Sequence, residues 1–256
     1  DNACLAVKGQ DYVFALAGIK GSPKVTLEKG DVMTYITLKV GMNVVKAAYK
    51  EGIRNLLFTS SIGAYHEAEL LKESKAFKGK AMDAPGEAKR RVERQIQKYH
   101  LGYGRGYKVV RLANCYGLGD NFDPENAMFI PSLMAKVLRG DNPVEIWGDG
   151  SQVRDFIYSK DAARGIIHMM LFNPDSMPVN LGSGVGYTVA EVAATLKTII
   201  HFNVVYDKTK PTGVTRRVLD VSRARSLGFR TEYSLHDGLE ETWNWFKENQ
   251  LNIRGG

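Results

Sequence analysis

Two short apolar runs, Tyr12-Val13-Phe14-Ala15-Leu16-Ala17 and Asn55-Leu56-Leu57-Phe58-Thr59, flank a long segment of helical spacing. From about Asp31 to Glu51 the residues Met33, Ile36, Val40, Val44, Val45 and Ala48 recur at three- and four-residue steps, and Gly52 follows as a stop. A near-continuous apolar run marks a strand covered on both faces. Two such strands joined by a helix cannot form a hairpin; they form a parallel crossover unit. Ligands of open α/β sheets sit beyond the carboxyl ends of the strands. The second run continues into Ser60-Ser61-Ile62-Gly63-Ala64-Tyr65, so Thr59 and Ser61 fall at that end; Gly18 closes the first run and lets a ligand come near. On spacing alone, a strand that stops at a serine-rich turn fits this stretch equally well.

Downstream the same alternation continues. Gly21-Ser22-Pro23 reads as loop. Within Lys80–His100, Pro85 suits a helix start and Ala88–Ile96 is helical by propensity. Strands are expected at Lys108–Leu112, Val144–Trp147, Asp155–Tyr158, Pro178–Leu181 and Phe202–Tyr206, and helices at Pro131–Leu138, Lys160–Phe172, Thr188–Ile199 and Ser234–Asn249. The fold class is α/β, a Rossmann-like doubly wound parallel sheet with a smaller mixed α/β C-terminal lobe. Residues 1–117 with about 150–172 are assigned to the first part, and 118–149 with 173–256 to the lobe. Residues 254–256 are expected to be loose.

Composition excludes several classes. The 256-residue chain has no apolar stretch long enough for a membrane helix and no signal-peptide shape at Asp1–Lys8. Two cysteines, Cys4 and Cys115, make no disulfide framework and point to a reducing, cytoplasmic setting. The net charge of +7 is dispersed, without a nucleic-acid motif, and suits an anionic small substrate. Lys89-Arg90-Arg91 with Arg94 reads as a solvated basic helix face. The histidines show no metal spacing.

Four pieces stand in order: Thr59-Ser60-Ser61-(x)3-Tyr65; Lys89; Arg111-Leu112-Ala113-Asn114-x-Tyr116-Gly117; and Trp147-Gly148-Asp149-Gly150-(x)3-Arg154-Asp155-Phe156. With Gly119–Asn126, Lys210–Gly213 and Arg217–Val221, they resemble the extended short-chain dehydrogenase/reductase family of sugar-nucleotide epimerases, dehydratases and reductases. The likeness is closest to its GDP-L-fucose synthase-like branch. It implies NAD or NADP as cofactor, a nucleoside-diphosphate sugar as substrate, and a homodimer paired through helices 31–51 and 86–100. Ser61 matches the catalytic hydroxyl and Lys89 the catalytic lysine that also binds the nicotinamide ribose. Ala17, Gly18, Thr59, Leu112 and Ala113 match cofactor positions. Asn114, Trp147, Arg154 and Arg217 match substrate positions.

The sequence also departs from that pattern. The family's glycine-rich first turn is absent near residue 1, and it is expected to precede this chain in a longer protein. The tyrosine that moves the proton lies four residues before the family's lysine; Pro85 stands there. Glu87, Tyr65 and His66 are the remaining candidates for the proton, with Glu87 read more readily as a first-turn acid favoured by the helix dipole. Met128 and Gly63 replace a histidine and a cysteine of the fucose synthase-like branch, so the likeness carries the sugar-nucleotide substrate and not that reaction. Two readings follow: an NAD(P)-dependent enzyme, or a sugar-nucleotide-binding relative without full redox chemistry.

Overall fold

The computed structural model describes residues 2–19, 21–123, 126–210 and 212–250, so the end expected to be loose, 254–256, lies outside the described residues. Short helix α1 (Asn2–Val7) leads into β1 (Tyr12–Ala15). Then come α2 (Pro23–Glu28), α3 (Gly30–Lys50) and β2 (Asn55–Ser61). A two-residue strand β3 (Leu70–Leu71) precedes α4 (Ala84–Tyr103), β4 (Gly106–Leu112) and β5 (Asn114–Tyr116). Next are α5 (Phe129–Arg139), β6 (Val144–Trp147), β7 (Val153–Tyr158), α6 (Ser159–Phe172) and β8 (Val179–Leu181). The chain continues through β9 (Gly186–Thr188), α7 (Val189–Ile199), β10 (Val204–Asp207), β11 (Arg216–Leu219), α8 (Ser222–Ser226) and α9 (Leu235–Glu248).

The first sheet runs β1-β2-β4-β8, all parallel. Its apolar runs are explained by what covers them. Leu56 and Phe58 pack with Val45 and Ala48 of α3 and Val92 and Ile96 of α4. Leu57, one residue out of phase, packs on the other face with Ile166, Met169 and Met170 of α6. Alternate residues of one strand feed opposite layers, so every position is apolar.

A second sheet has the order β3-β11-β7-β5, with β9 antiparallel to β7. The β6–β10 pair is parallel. A third core gathers Val144, Ile146, Phe156 and Tyr158 with α5, α7 and α9, where Phe122 stacks on Phe246 at 3.9 Å. Thr188 and Ser234 cap α7 and α9 through capping boxes. Among the described residues no helix is long and apolar enough to cross a membrane.

The structure corrects several expectations. The segment after Gly21 is not loop: Ser22 caps α2, its hydroxyl accepting from the Val25 N–H, with proline in the first turn. The strand expected over 12–17 ends at Ala15, while the one expected over 55–59 continues to Ser61 because β4 pairs with it through Leu112. The basic stretch is not a solvated face. Arg91 and Arg94 are exposed, but Arg90 is only 2% exposed and Lys89 turns toward the sheet.

Candidate functional site

The site is built at the carboxyl ends of the first sheet. Ser61, Leu112 and Leu181 occupy one register row across β2, β4 and β8. The Thr59 hydroxyl donates to Ala15 O at 3.2 Å, which ties β2 to the end of β1. Beyond β1, Ala17 and Gly18 are exposed, and a Cβ placed on Gly18 would meet only Lys89 Nζ, at 3.9 Å. Lys89 Nζ donates to Thr59 O at 2.8 Å. An ammonium has three N–H donors, and among the described residues this is its one hydrogen bond, so two donors remain for a ligand. Burial pulls Lys89 down to about 8, while the carboxylates of Glu93 and Asp83 act to raise it.

Several contacts hold α4 so that Lys89 reaches this point. Asp83 caps the helix, its Oδ1 accepting from the Gly86 N–H at 2.7 Å. Gly86 packs against the backbone of Gly63, leaving no room for a side chain. Arg90 reaches under the turn after β2 and donates to Ala64 O at 2.8 Å and Gly79 O at 2.6 Å. One turn on, Glu93 accepts from Arg111 Nε at 2.9 Å and Nη2 at 2.6 Å, with both side chains fully buried. The Ser61 hydroxyl accepts from the Gly63 N–H at 3.0 Å and so faces the same turn.

The second sheet supplies the cationic side. Arg154 and Arg217 are direct cross-strand neighbours in the β7–β11 pair. Burial draws both guanidiniums downward, Arg154 to about 10 with Arg217 adding repulsion; Asp83 and Glu67 oppose the shift at Arg217. Arg217 Nε is buried without a hydrogen-bond partner. Two half-buried, mutually repelling forks with an unused donor suit a phosphate or diphosphate. Arg154 also donates to Thr212 O at 3.3 Å, and Thr212 lies against Gly148, next to Trp147. Trp147 is 44% exposed, its indole donating to Glu145 at 3.0 Å. Asn114 donates to Asp155 O at 2.8 Å, beside Arg154 in the chain, and Ala113 is buried with its N–H on Leu181 O at 2.9 Å.

These contacts link the expected residues into one continuous region. Lys89 touches Thr59 and borders Gly18; Ser61 shares a turn with Gly63, against which Asp83 packs; Asp83 acts on Lys89 and Arg217; Arg217 adjoins Arg154. Leu112 and Ala113 sit at the sheet end beside Ser61, while Trp147 ends β6 with its side chain partly exposed. The candidates for proton transfer fare differently. Tyr65 is fully buried, its hydroxyl donates to Asn180 at 2.8 Å, and burial pushes its phenol well up. Glu87 faces Arg91 and Arg90 along its own helix, at 3.4 and 3.9 Å. His66 packs against Gly79, with Nδ1 buried and unpartnered. Sequence reasoning missed Asp83 and Arg90; the only local signal was an Asp–x–Pro cap.

The sequence profile of the NAD dependent epimerase/dehydratase family matches residues 2–182. The chain is 33% identical over 242 residues to GDP-L-fucose synthase of Escherichia coli K12, covering 86% of this chain and 75% of that one. It is 31% identical over 229 residues to GDP-L-fucose synthase 1 of Arabidopsis thaliana, covering 85% and 71%. Among solved structures it superposes on UDP-glucose 4-epimerase from Thermotoga maritima with UDP-glucose, at a TM-score of 0.85 and 26% identity over 96% of this chain and 80% of that one. A GDP-L-fucose synthetase from Naegleria fowleri bound to NADP shares the fold, with a TM-score of 0.86 and 23% identity, covering 95% and 78%. A chain with these strand ends, this lysine and these relatives belongs to the NAD-dependent epimerase/dehydratase family.

Proposed function

We propose that the chain is an NAD(P)-dependent epimerase, dehydratase or reductase acting on a nucleoside-diphosphate sugar. The observation that carries this reading is Lys89: a half-buried ammonium fixed to Thr59 O at 2.8 Å, facing the Gly18 loop with donors to spare. Residues 1–117 with about 150–172 hold the cofactor in this reading, and the remainder forms the sugar-nucleotide lobe. When bound, the nicotinamide gives or takes a hydride at a sugar ring carbon. Ala17 and Gly18 leave room along the cofactor, and Lys89 donates to ribose hydroxyls and keeps a positive field over the reacting oxygen. Ser61 offers its hydroxyl to that oxygen. Arg154 and Arg217 fork onto the diphosphate, Asn114 and Trp147 bound the pocket beyond, and Leu112 and Ala113 close the side toward β4.

Relatives that act on GDP- and UDP-sugars support this substrate class. The full-length protein is mixed with a panel of GDP- and UDP-sugars and NAD+, NADP+ or their reduced forms, following nicotinamide absorbance and product sugars. Turnover of one or more sugars is expected. Tight binding of cofactor and sugar nucleotide with no conversion would instead favour the binding-only reading, to which Pro85 points.

In this reading the protein is a cytoplasmic homodimer. Neither Cys4 nor Cys115 is in a disulfide, and α3 and α4 pack side by side with Val32, Tyr35, Leu101 and Tyr103 left exposed. Light scattering at tens of micromolar is expected to give a dimer mass; a monomer would refute the pairing.

A further inference from the structure

We propose that Asp83 is the proton-transfer group of this site, in place of the phenol that Pro85 cannot supply. The inference rests on the reading above. Its basis is a set of matched changes around one point. A Cβ placed on Gly63 would lie 2.5 Å from Asp83 Oδ2, so the absence of a side chain at 63 is what admits the carboxylate. Gly63 is also the residue whose N–H reaches the Ser61 hydroxyl at 3.0 Å. Oδ1 is committed to the helix cap at the Gly86 N–H, at 2.7 Å, which fixes the side chain, and Oδ2 is the oxygen nearer the Gly63 Cβ position. Charged groups face the carboxylate from two elements: Lys89 on its own helix and Arg217 on β11. Of the other candidates, Tyr65 is spent on Asn180 and Glu87 on Arg91, and His66 packs against Gly79.

The step balances simply. When a ring carbinol is oxidised, its O–H bond breaks and the proton passes to Asp83 Oδ2, while the carbon's hydride leaves to the nicotinamide as the C=O forms. Reduction runs the same transfer backward, with Asp83 protonating the new alkoxide. A carboxylate held in place beside the reacting oxygen can take and return a proton, a role worth roughly a hundredfold to ten-thousandfold in rate.

The test uses the full-length protein and Asp83→Asn, which caps a helix as well as aspartate does but carries no exchangeable acid. Turnover is expected to fall at least about a hundredfold, with the melting temperature within a few degrees of wild type and the sugar-nucleotide affinity within about threefold. Formate is expected to restore part of the activity of Asp83→Ala. Independently of turnover, the Asp83 13Cγ resonance is expected to shift when UDP- or GDP-sugar is added. An inactive wild type with a shifting resonance would sink the redox reading and keep Asp83 at the substrate. An active Asp83→Asn, or a resonance blind to the sugar nucleotide, would overturn the role assigned to Asp83.

Discussion

Lys89 Nζ lies 2.8 Å from the carbonyl oxygen of Thr59, so the second turn of α4 is pinned to the end of β2. The ammonium is costly where it sits. Burial draws it down to about 8, against 10.5 for a free lysine, with Glu93 and Asp83 only partly offsetting the loss of water. Between those two values the unfolded chain holds a proton that the folded chain releases. Stability therefore rises with pH across about 8 to 10.5, and the charged form costs stability below it. Lys89→Met is expected to raise the melting temperature at pH 7 by a few degrees while weakening nicotinamide-cofactor binding at least tenfold. In wild type, cofactor affinity is expected to decline above about pH 8 as the ammonium is lost. Thermal melts and cofactor titrations from pH 6 to 10 check both signs.

Arg154 and Arg217 repel each other across the β7–β11 pair, and Arg217 Nε has no partner. Arg217→Ala removes a fork that suits an anion and relieves that repulsion. Sugar-nucleotide affinity is expected to drop roughly tenfold to a hundredfold, since charge-assisted hydrogen bonds contribute about 1.5–3 kcal/mol. Folding stability is expected to be unchanged or slightly higher. Calorimetric titration beside a thermal melt separates the two effects.

The Glu93–Arg111 pair is fully buried, and Arg111 also lies 4.2 Å from the Tyr65 ring centroid. Glu93→Ala leaves an unpaired guanidinium in the core, a change that costs about 3–5 kcal/mol. It also removes a carboxylate that helps keep Lys89 protonated. Guanidinium unfolding is expected to show the lower midpoint, and the cofactor-affinity pH profile to shift to lower pH.

Much of the candidate site stands out in the sequence because its residues end apolar runs. Thr59 and Ser61 follow the run that β2 buries between α3, α4 and α6, and Lys89 lies a fixed distance into a helix that its cap and proline announce. The second sheet was harder. Arg216–Leu219 begins with two arginines, and Gly186–Thr188 is three residues long, so neither carries the pattern of a buried strand. The inward turn of Arg90 was hidden for another reason: its partners are the carbonyls of Ala64 and Gly79, and main-chain acceptors have no letter in the sequence. The approach of Asp83 to Gly63 is likewise a meeting of two turns 20 residues apart, visible only once α4 is docked.

Asp155 joins the parts of the molecule. Its carboxylate accepts from the Ser183 N–H and hydroxyl at 2.9 and 2.8 Å, and from the N–H groups of Gly184 and Leu219 at 3.2 Å. Burial raises it to about 6 in spite of those bonds. A carboxyl with a raised folded pKa gives its full stabilisation below the unfolded value and loses it as pH climbs through about 6. Asp155→Asn turns an amide N–H₂ toward backbone donors and is expected to destabilise by about 1–3 kcal/mol. Denaturant melts between pH 4 and 7 are expected to lose the slope that Asp155 contributes.

Calorimetric titration of the full-length protein with reduced NAD and NADP, wild type beside Lys89→Met, tests the central claim most directly. Micromolar binding of one cofactor to wild type, weakened at least tenfold by the substitution, is the predicted result. No binding to wild type at millimolar cofactor, or equal binding by both proteins, would contradict a nicotinamide site built around Lys89.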